Sequence, residues 1–360
     1  MKKLLKILLC IILAIVIIAA AYLAYCLIAF HRIGDDTALD ASPTGISVIP
    51  TIDTEYDIVS WNIGFGAYED DYGFFMDGGT QSWAWSKERL DTNLTAIANL
   101  LYEQQANFYF IQEVDIDSTR SYHFDERTYL TDPGRKNLQY YSHTFAQNYD
   151  SPFLFYPFTQ PHGTCRAGLM TFSRYGIKSA VRKELPIESG LTKFLDLDRC
   201  FSVNRIPVDN GKELVLINFH LSAYTSDGTI ATEQLHIVLD YMQEEYKKGN
   251  YCIAGGDFNK DILGDSSVYF GKSDIEYTWA QPIPEGTFDN YNVTLEAPLD
   301  KASPVPSSRN ADGPYHQGQY VLTIDGFMVT DNVKVTGSEV IDTQFKYSDH
   351  NPVYMTFELK

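Results

Sequence analysis

Residues 251–259 read Tyr251-Cys252-Ile253-Ala254-Gly255-Gly256-Asp257-Phe258-Asn259, an apolar run that stops on two glycines, a carboxylate and an amide. The run is short enough and apolar enough for a buried strand. Just before it, Ile230, Leu235, Val238, Leu239 and Met242 recur at helical spacing over residues 230–247. A second helix is expected from Ser86, a side chain suited to an N-cap, with Leu90, Leu94, Ile97, Ala98 and Leu101 on one face. Helices interleaved with strands describe an α/β or α+β body rather than an all-β one.

Outward from that stretch, the same kind of ending recurs. A strand over Tyr56–Asn62 closes on Trp61-Asn62, and one over Phe108–Val114 closes on Gln112-Glu113. Phe219-His220-Leu221 ends a strand begun near residue 213, and Ile324-Asp325-Gly326 interrupts one over 320–329. Ser348-Asp349-His350-Asn351-Pro352 precedes a final strand over 352–359. Further strands are expected at 166–173, 200–208 and near 333–340. Taken singly, an acid or amide at a strand end is a turn residue or cap. Six in order point to one polar edge of a sheet.

The donor types narrow the chemistry. Glu113, Asp257 and Asp349, with the amides of Asn62 and Asn259, offer hard oxygen ligands, and no Cys/His spacing fits a zinc site. Few carboxylates beside a substrate phosphate suit Mg²⁺. His220 and His350 can exchange protons near neutral pH. Asp325 can orient one imidazole and stabilise its charged form. Such parts are those needed to attack phosphorus with water and expel an alkoxide.

Trp61-Asn62-Ile63-Gly64, Gln112-Glu113-Val114, Gly256-Asp257-Phe258-Asn259, Ile324-Asp325-Gly326-Phe327 and Ser348-Asp349-His350-Asn351-Pro352-Val353 occur in the order of the endonuclease/exonuclease/phosphatase superfamily, which the chain resembles over about residues 55–360. Gly168-Leu169-Met170-Thr171-Phe172-Ser173-Arg174 is similar to that superfamily's central strand. The resemblance implies a four-layer α/β sandwich, two packed mixed β-sheets flanked by helices. It also implies Glu113 as the principal Mg²⁺ ligand, with Mn²⁺ as a substitute, assisted by Asn62 and Asp349. Asp257 would orient or deprotonate the attacking water, and Asn259 would bind the scissile phosphate. His350, oriented by Asp325, would act as general base or phosphate contact. His220 matches the second histidine of the deoxyribonuclease I and sphingomyelinase branches. The expected activity is metal-dependent hydrolysis of a phosphodiester. A nuclease acting on DNA or RNA is the alternative, and a non-catalytic binding module on the same fold is a third reading.

Composition adds limits. Outside residues 1–32 the chain carries 24 basic and 47 acidic residues, a net −23. That balance opposes holding duplex DNA by phosphate neutralisation and leans towards a lipid or small phosphoester over a long polyanion. Residues 7–30 hold no charge, with Lys2, Lys3 and Lys6 before them and Arg32 after. They are read as a single-pass membrane anchor (residues 1–32), N-terminus in the cytoplasm and catalytic domain outside. Cleavage near Ala19-Ala20-Ala21 and secretion is the alternative. Residues 33–55 are expected as a linker and 56–360 as the catalytic domain, with no obligate protein partner evident. The aromatic segment 64–85 is expected to pack over the core, or else to form an apolar platform beside the site. Arg120, paired locally with Asp117, and also Arg166 and Arg199 are candidate phosphate contacts. Cys165 with Cys200 is the one disulfide pairing to test.

Overall fold

The computed structural model describes residues 1–43, 47–188, 198–223, 229–275 and 277–360. One sheet has six strands in the order Val333–Val340, Val353–Leu359, Glu55–Asn62, Phe108–Asp115, Arg166–Ser173, Ser142–Asp150. A second has seven: Thr37–Leu39, Ser179–Glu184, Cys200–Pro207, Glu213–His220, Tyr251–Asp257, Asp325–Thr330, Val293–Glu296. Ser308–Arg309 pairs with Val321–Leu322 in a small third sheet. Each of the two large sheets holds a parallel pair, 55–62 beside 108–115 and 213–220 beside 251–257.

A parallel pair needs a crossover connection, and a helix supplies it on each outer face. Lys87–Gln104 starts where Ser86 Oγ accepts the Arg89 N–H at 3.2 Å. It buries Ile97, Ala98 and Leu101 against Val59, Trp61, Tyr109 and Ile111. Thr229–Lys247 buries Leu235, Val238, Leu239 and Met242 against Val215, Ile217, Cys252 and Ala254. Helix, sheet, sheet, helix is the four-layer α/β sandwich expected.

The inward faces position the site. Read at every second residue, the strand 55–62 gives Tyr56, Ile58, Ser60 and Asn62, and 213–220 gives Leu214, Leu216, Asn218 and His220. Tyr251, Ile253, Gly255 and Asp257 follow the same course. The first two of each set join one inter-sheet cluster with Phe108, Phe110 and Phe357. The last two are polar or small, and all lie towards the carboxyl ends of the parallel strands. There the sheets are tied by hydrogen bonds: Gln112 Nε2 donates to Asn218 Oδ1 at 2.8 Å, and Asn218 Nδ2 to the Met170 carbonyl at 2.9 Å.

Several expectations change. Ser142–Asp150 forms a strand that no apolar period announces, because its inward positions are Ser142, Thr144 and Ala146. Thr144 Oγ1 bonds across the sheets to Asn204 Oδ1 at 2.6 Å, so polar contacts replace apolar ones. The described part of the 33–55 linker is docked on the body: Thr37–Leu39 pairs with Ser179–Glu184, Ala38 opposite Val181, and the Asp53 N–H donates to the Leu359 carbonyl at 2.9 Å. Buried Arg182 anchors that approach, donating to the Ile33 carbonyl at 2.9 Å and the Asp198 carbonyl at 3.0 Å. The strand over 320–329 breaks into Val321–Leu322 and Asp325–Thr330. Cys165 and Cys200 are buried free thiols in separate apolar clusters, which overturns their pairing.

The helix Lys2–Ala29 has a mean hydropathy of 3.1 over its most apolar window. It is long and apolar enough to cross a membrane, a test that a signal sequence also passes.

Candidate active site

The polar ends of both sheets open into a cavity of about 350 Å³ whose wall includes Asn62, Glu113, His220, Asp257, Asn259, Asp349 and His350. Ligand sites at the carboxyl ends of parallel strands are the rule in α/β sheets. Seven of the eight residues expected at the site thus share one cavity, and the eighth, Asp325, stands behind it against His350.

Local structure explains how each side chain arrives. Asn62 ends its strand, where Gly64 N–H donates to its Oδ1 at 3.0 Å and its Nδ2 reaches Glu113 at 3.2 Å and Asp257 at 3.1 Å. Glu113 sits where the pairing of 108–115 with 166–173 slips between Ile111 and Val114, and its φ is +55°. This bulge turns the carboxylate off the ladder and into the cavity, at the cost of a backbone region that non-glycine residues avoid. Its side chain keeps 20% of its surface exposed, enough for a ligand to reach. Gly256, with φ +142°, has to be glycine: a Cβ there would lie 2.0 Å from the Phe219 carbonyl oxygen. The close approach sets Asp257 beside His220.

The 348–350 turn is pinned to the end of the 55–62 strand. Ser348 Oγ donates to the Asn62 carbonyl at 2.8 Å, and Trp61 Nε1 to the His350 carbonyl at 2.8 Å. Asp325 Oδ2 accepts from Ser307 Oγ at 2.7 Å and meets His350 Nδ1 at 2.8 Å. His350 Nε2 then faces Asp257 Oδ2 at 3.7 Å, and His220 Nε2 faces the same oxygen at 3.4 Å. Asn259 N–H donates to Asp257 Oδ1 at 2.8 Å, and Asn259 Nδ2 is held by the Leu221 carbonyl at 2.8 Å.

Burial sets the electrostatics. It pushes Asp257 up to about 7, opposed by charged His350 and reinforced by Asp325. Asp349 rises to about 6 by burial, with His350 and Arg309 opposing and Glu113 adding. Burial also opposes charge on His350, but the carboxylates of Asp325, Asp349 and Asp257 outweigh it and hold the imidazole well above its usual range. His220 goes the other way, kept neutral by burial and by the Arg199, His350 and Arg120 charges. Two histidines on one carboxylate are therefore split into a charged and a neutral partner, the arrangement acid–base chemistry needs.

The arginines sort differently from expectation. Arg120 is bidentate to Asp115, at 2.9 and 3.1 Å, rather than paired with Asp117, and its guanidinium lies 4.0 Å from the Phe65 ring centre. Its Nη2 stands 3.7 Å from Glu113 Oε2, so it steadies that carboxylate as well as lining the cavity. Arg166 is exposed between Asp117 and Asp150, outside the cavity wall. Arg199 does line it, and donates to the His220 carbonyl at 3.4 Å. Arg309 and Ser307 escape the sequence reading because they lie in the Pro/Ser/Gly-rich 281–318 stretch. Arg309 is buried in the wall, with its N–H donating to the Asp349 carbonyl at 3.0 Å. The 64–85 segment meets both expectations: Phe65, Tyr68, Tyr72 and Phe74 pack on Leu90 and Leu94, while Tyr68, Phe74 and Met76 also face the cavity.

Asp257, Asp325 and His350 bring their donor atoms within 4.8 Å of one another, a group able to hold a metal ion. The Glu113–Asp349 side fits a hard cation better, because Asp325 and His350 already engage each other at 2.8 Å while the Glu113 side chain keeps 20% of its surface exposed to the cavity. For Asn62 to serve as a ligand its amide must turn its oxygen towards that side.

The profile of the Endonuclease/Exonuclease/phosphatase family matches residues 59–350, and the chain belongs to that family, whose members hydrolyse phosphate esters. No curated protein matches the chain. Among solved structures it is similar to a family protein from Leptotrichia buccalis C-1013-b, at 15% identity, 84% of this chain, 100% of that one and TM-score 0.53. The human Nocturnin catalytic domain with bound sulfate aligns at 15% identity, 89% and 98% coverage and TM-score 0.50. ANGEL2, a 2′,3′-cyclic phosphatase solved with adenosine-2′,3′-vanadate, aligns at 15%, 89%, 98% and 0.52. At such identities the likeness is one of fold.

Proposed function

We propose that the protein is a Mg²⁺-dependent phosphodiesterase whose catalytic body is carried on the outer side of the cytoplasmic membrane. The observation behind this reading is the pairing of His350 with Asp325 at 2.8 Å, its other nitrogen facing Asp257 across a cavity walled by Glu113 and Asp349. Glu113 and Asp349, with Asn62 once its amide turns, would hold the cation, which supplies charge neutralisation at the phosphoryl oxygens. Asp257, raised by burial to about 7, is in its ionised form the base that accepts the proton of the attacking water. Charged His350 presents Nε2–H to a phosphoryl oxygen, and Asp325 keeps it charged and oriented. Asn259 adds a contact to the phosphate. His220, neutral in the free site and 3.4 Å from the same Asp257 oxygen, would pass the water's proton on to the departing alkoxide oxygen, which leaves as the alcohol. ANGEL2, a 2′,3′-cyclic phosphatase of similar fold, supports diester chemistry on this scaffold. The lysines before the apolar helix support the outward orientation.

The full chain in detergent should cleave bis-nitrophenyl phosphate with Mg²⁺ and lose that activity in EDTA. Glu113→Gln should stay folded and need far more Mg²⁺ for half-maximal rate. Unchanged turnover in EDTA would sink the metal assignment. Rapid nicking of plasmid DNA or degradation of RNA, with no small diester cleaved, would favour the nuclease reading.

A further inference from the structure

We propose that the loop 151–161 is a membrane-seated surface that lays the cavity against the bilayer crossed by Lys2–Ala29, so that the substrate is a phosphoester of a membrane lipid. The substrate class rests on the phosphodiesterase reading above; the seating does not. Ser151-Pro152-Phe153-Leu154-Phe155-Tyr156-Pro157-Phe158-Thr159-Gln160-Pro161 carries no charge in a body of net −23. Phe155, Tyr156 and Phe158 are 52, 62 and 85% exposed. Clustered exposed aromatics mark a contact surface.

The loop is fastened to the apolar helix. Tyr22 Oη donates to the Phe153 carbonyl at 3.1 Å and accepts the Phe155 N–H at 3.3 Å; Tyr25 Oη accepts the Phe153 N–H at 3.1 Å. The Tyr22 and Phe155 rings meet edge to face at 5.1 Å, and Leu154 is buried with Cys26. A hydrocarbon core of ~30 Å takes about 20 helical residues. Counted from Ile7, that length ends near Cys26. Tyr25 therefore falls at the outer boundary and Tyr22 about one helical turn inside it, so the loop hydrogen-bonded to both sits at the depth where aromatic side chains are enriched. A charge-free aromatic loop at that depth lets an otherwise acidic body approach the surface.

From the loop an apolar path leads inward. The Tyr156 ring lies 5.7 Å from Phe75, and Phe75 lies 4.7 Å from Phe74. Phe74 and Met76 line the cavity, together with His162, the residue that follows the loop. An amphiphile fits this layout, its phosphate at the histidine–carboxylate cluster and its apolar part along the aromatics. A free polyanion gains nothing from it.

The test uses the full chain in vesicles of phosphatidylcholine, sphingomyelin and phosphoinositide. Phe158→Trp should add tryptophan emission, over the wild-type chain, that phosphatidylcholine brominated near the headgroup quenches. Phe155→Ser/Phe158→Ser should lose about tenfold or more in headgroup release from vesicle lipid, in line with the apolar area removed, while cleaving bis-nitrophenyl phosphate like wild type. Added emission that the brominated lipid leaves unquenched in Phe158→Trp overturns the seating. Equal loss on both substrates, or a wild-type chain that cleaves the soluble diester and never vesicle lipid, overturns the lipid substrate. A wild-type chain inert towards the soluble diester defeats the phosphodiesterase reading instead, and the quenching still decides the seating.

Discussion

At one end of the inter-sheet space Ile58, Phe110, Leu216 and Ile253 pack against each other with no accessible surface. At the other end, a few residues along the same strands, Asn62, His220 and Asp257 are nearly as buried but are held by hydrogen bonds and charge. The apolar end gains stability from contacts that need no particular direction. The polar end spends part of that stability on buried charge, which is tolerable only because partners are fixed in place. Removing a group at each end should therefore have opposite signatures.

The largest effect is expected at the polar end. His350→Ala should lower turnover of a small diester by about 10²–10⁴ while the protein stays folded. Near-wild-type turnover would demote the Asp325–His350 pair to structure. Next comes Phe108→Ala at the apolar end, expected to cost about 3–5 kcal/mol in denaturant unfolding. The fraction still folded should keep its turnover, and a matched fall in both would show that the two ends are not separable. Asn218→Ala lies on the boundary and removes the Gln112 tie between sheets; a loss of about 1–3 kcal/mol is expected. An effect on catalysis without one on stability would move the boundary towards the core.

The smallest effect concerns pH. Asp257 and Asp349 are raised in the fold to about 7 and about 6, against about 3.9 in an unfolded chain. The folded metal-free protein thus binds more protons than the unfolded one between these values. Their contribution is present below about 4 and lost as pH rises towards 7. Thermal unfolding in EDTA should show melting falling over that window, and added Mg²⁺ should raise it more at about pH 7.5 than at about pH 5. Melting that climbs steadily with pH would contradict the upward shift of these two buried carboxyls.

How far the sequence revealed this follows from the kind of signal each element carries. The strands 166–173 and 108–115 and both crossover helices are readable because their apolar periods are unbroken. The site residues are readable because polar groups at the ends of apolar strands have few bland explanations in concert. Ser142–Asp150 is hidden because its inward face is small and polar, and Thr37–Leu39 because it is too short to carry a period. Arg309 and Ser307 are hidden because a loop's composition says nothing about what it folds against. Arg120 shows the limit of neighbour counting: Asp117, three residues back, is nearer in sequence than Asp115, five back, yet the turn at the strand exit brings Arg120 onto Asp115.

The bulge at Glu113 has a consequence for any effort to make the protein hardier. Its left-handed backbone is a conformation that glycine adopts freely, so Glu113→Gly should relieve a cost of roughly 1 kcal/mol while deleting the carboxylate. If Glu113 holds the cation as proposed, a screen that rewards heat resistance alone would accept that exchange and return a tougher, inert protein. A screen that rewards turnover would restore the strain. On that assignment durability and chemistry are competing traits at this position.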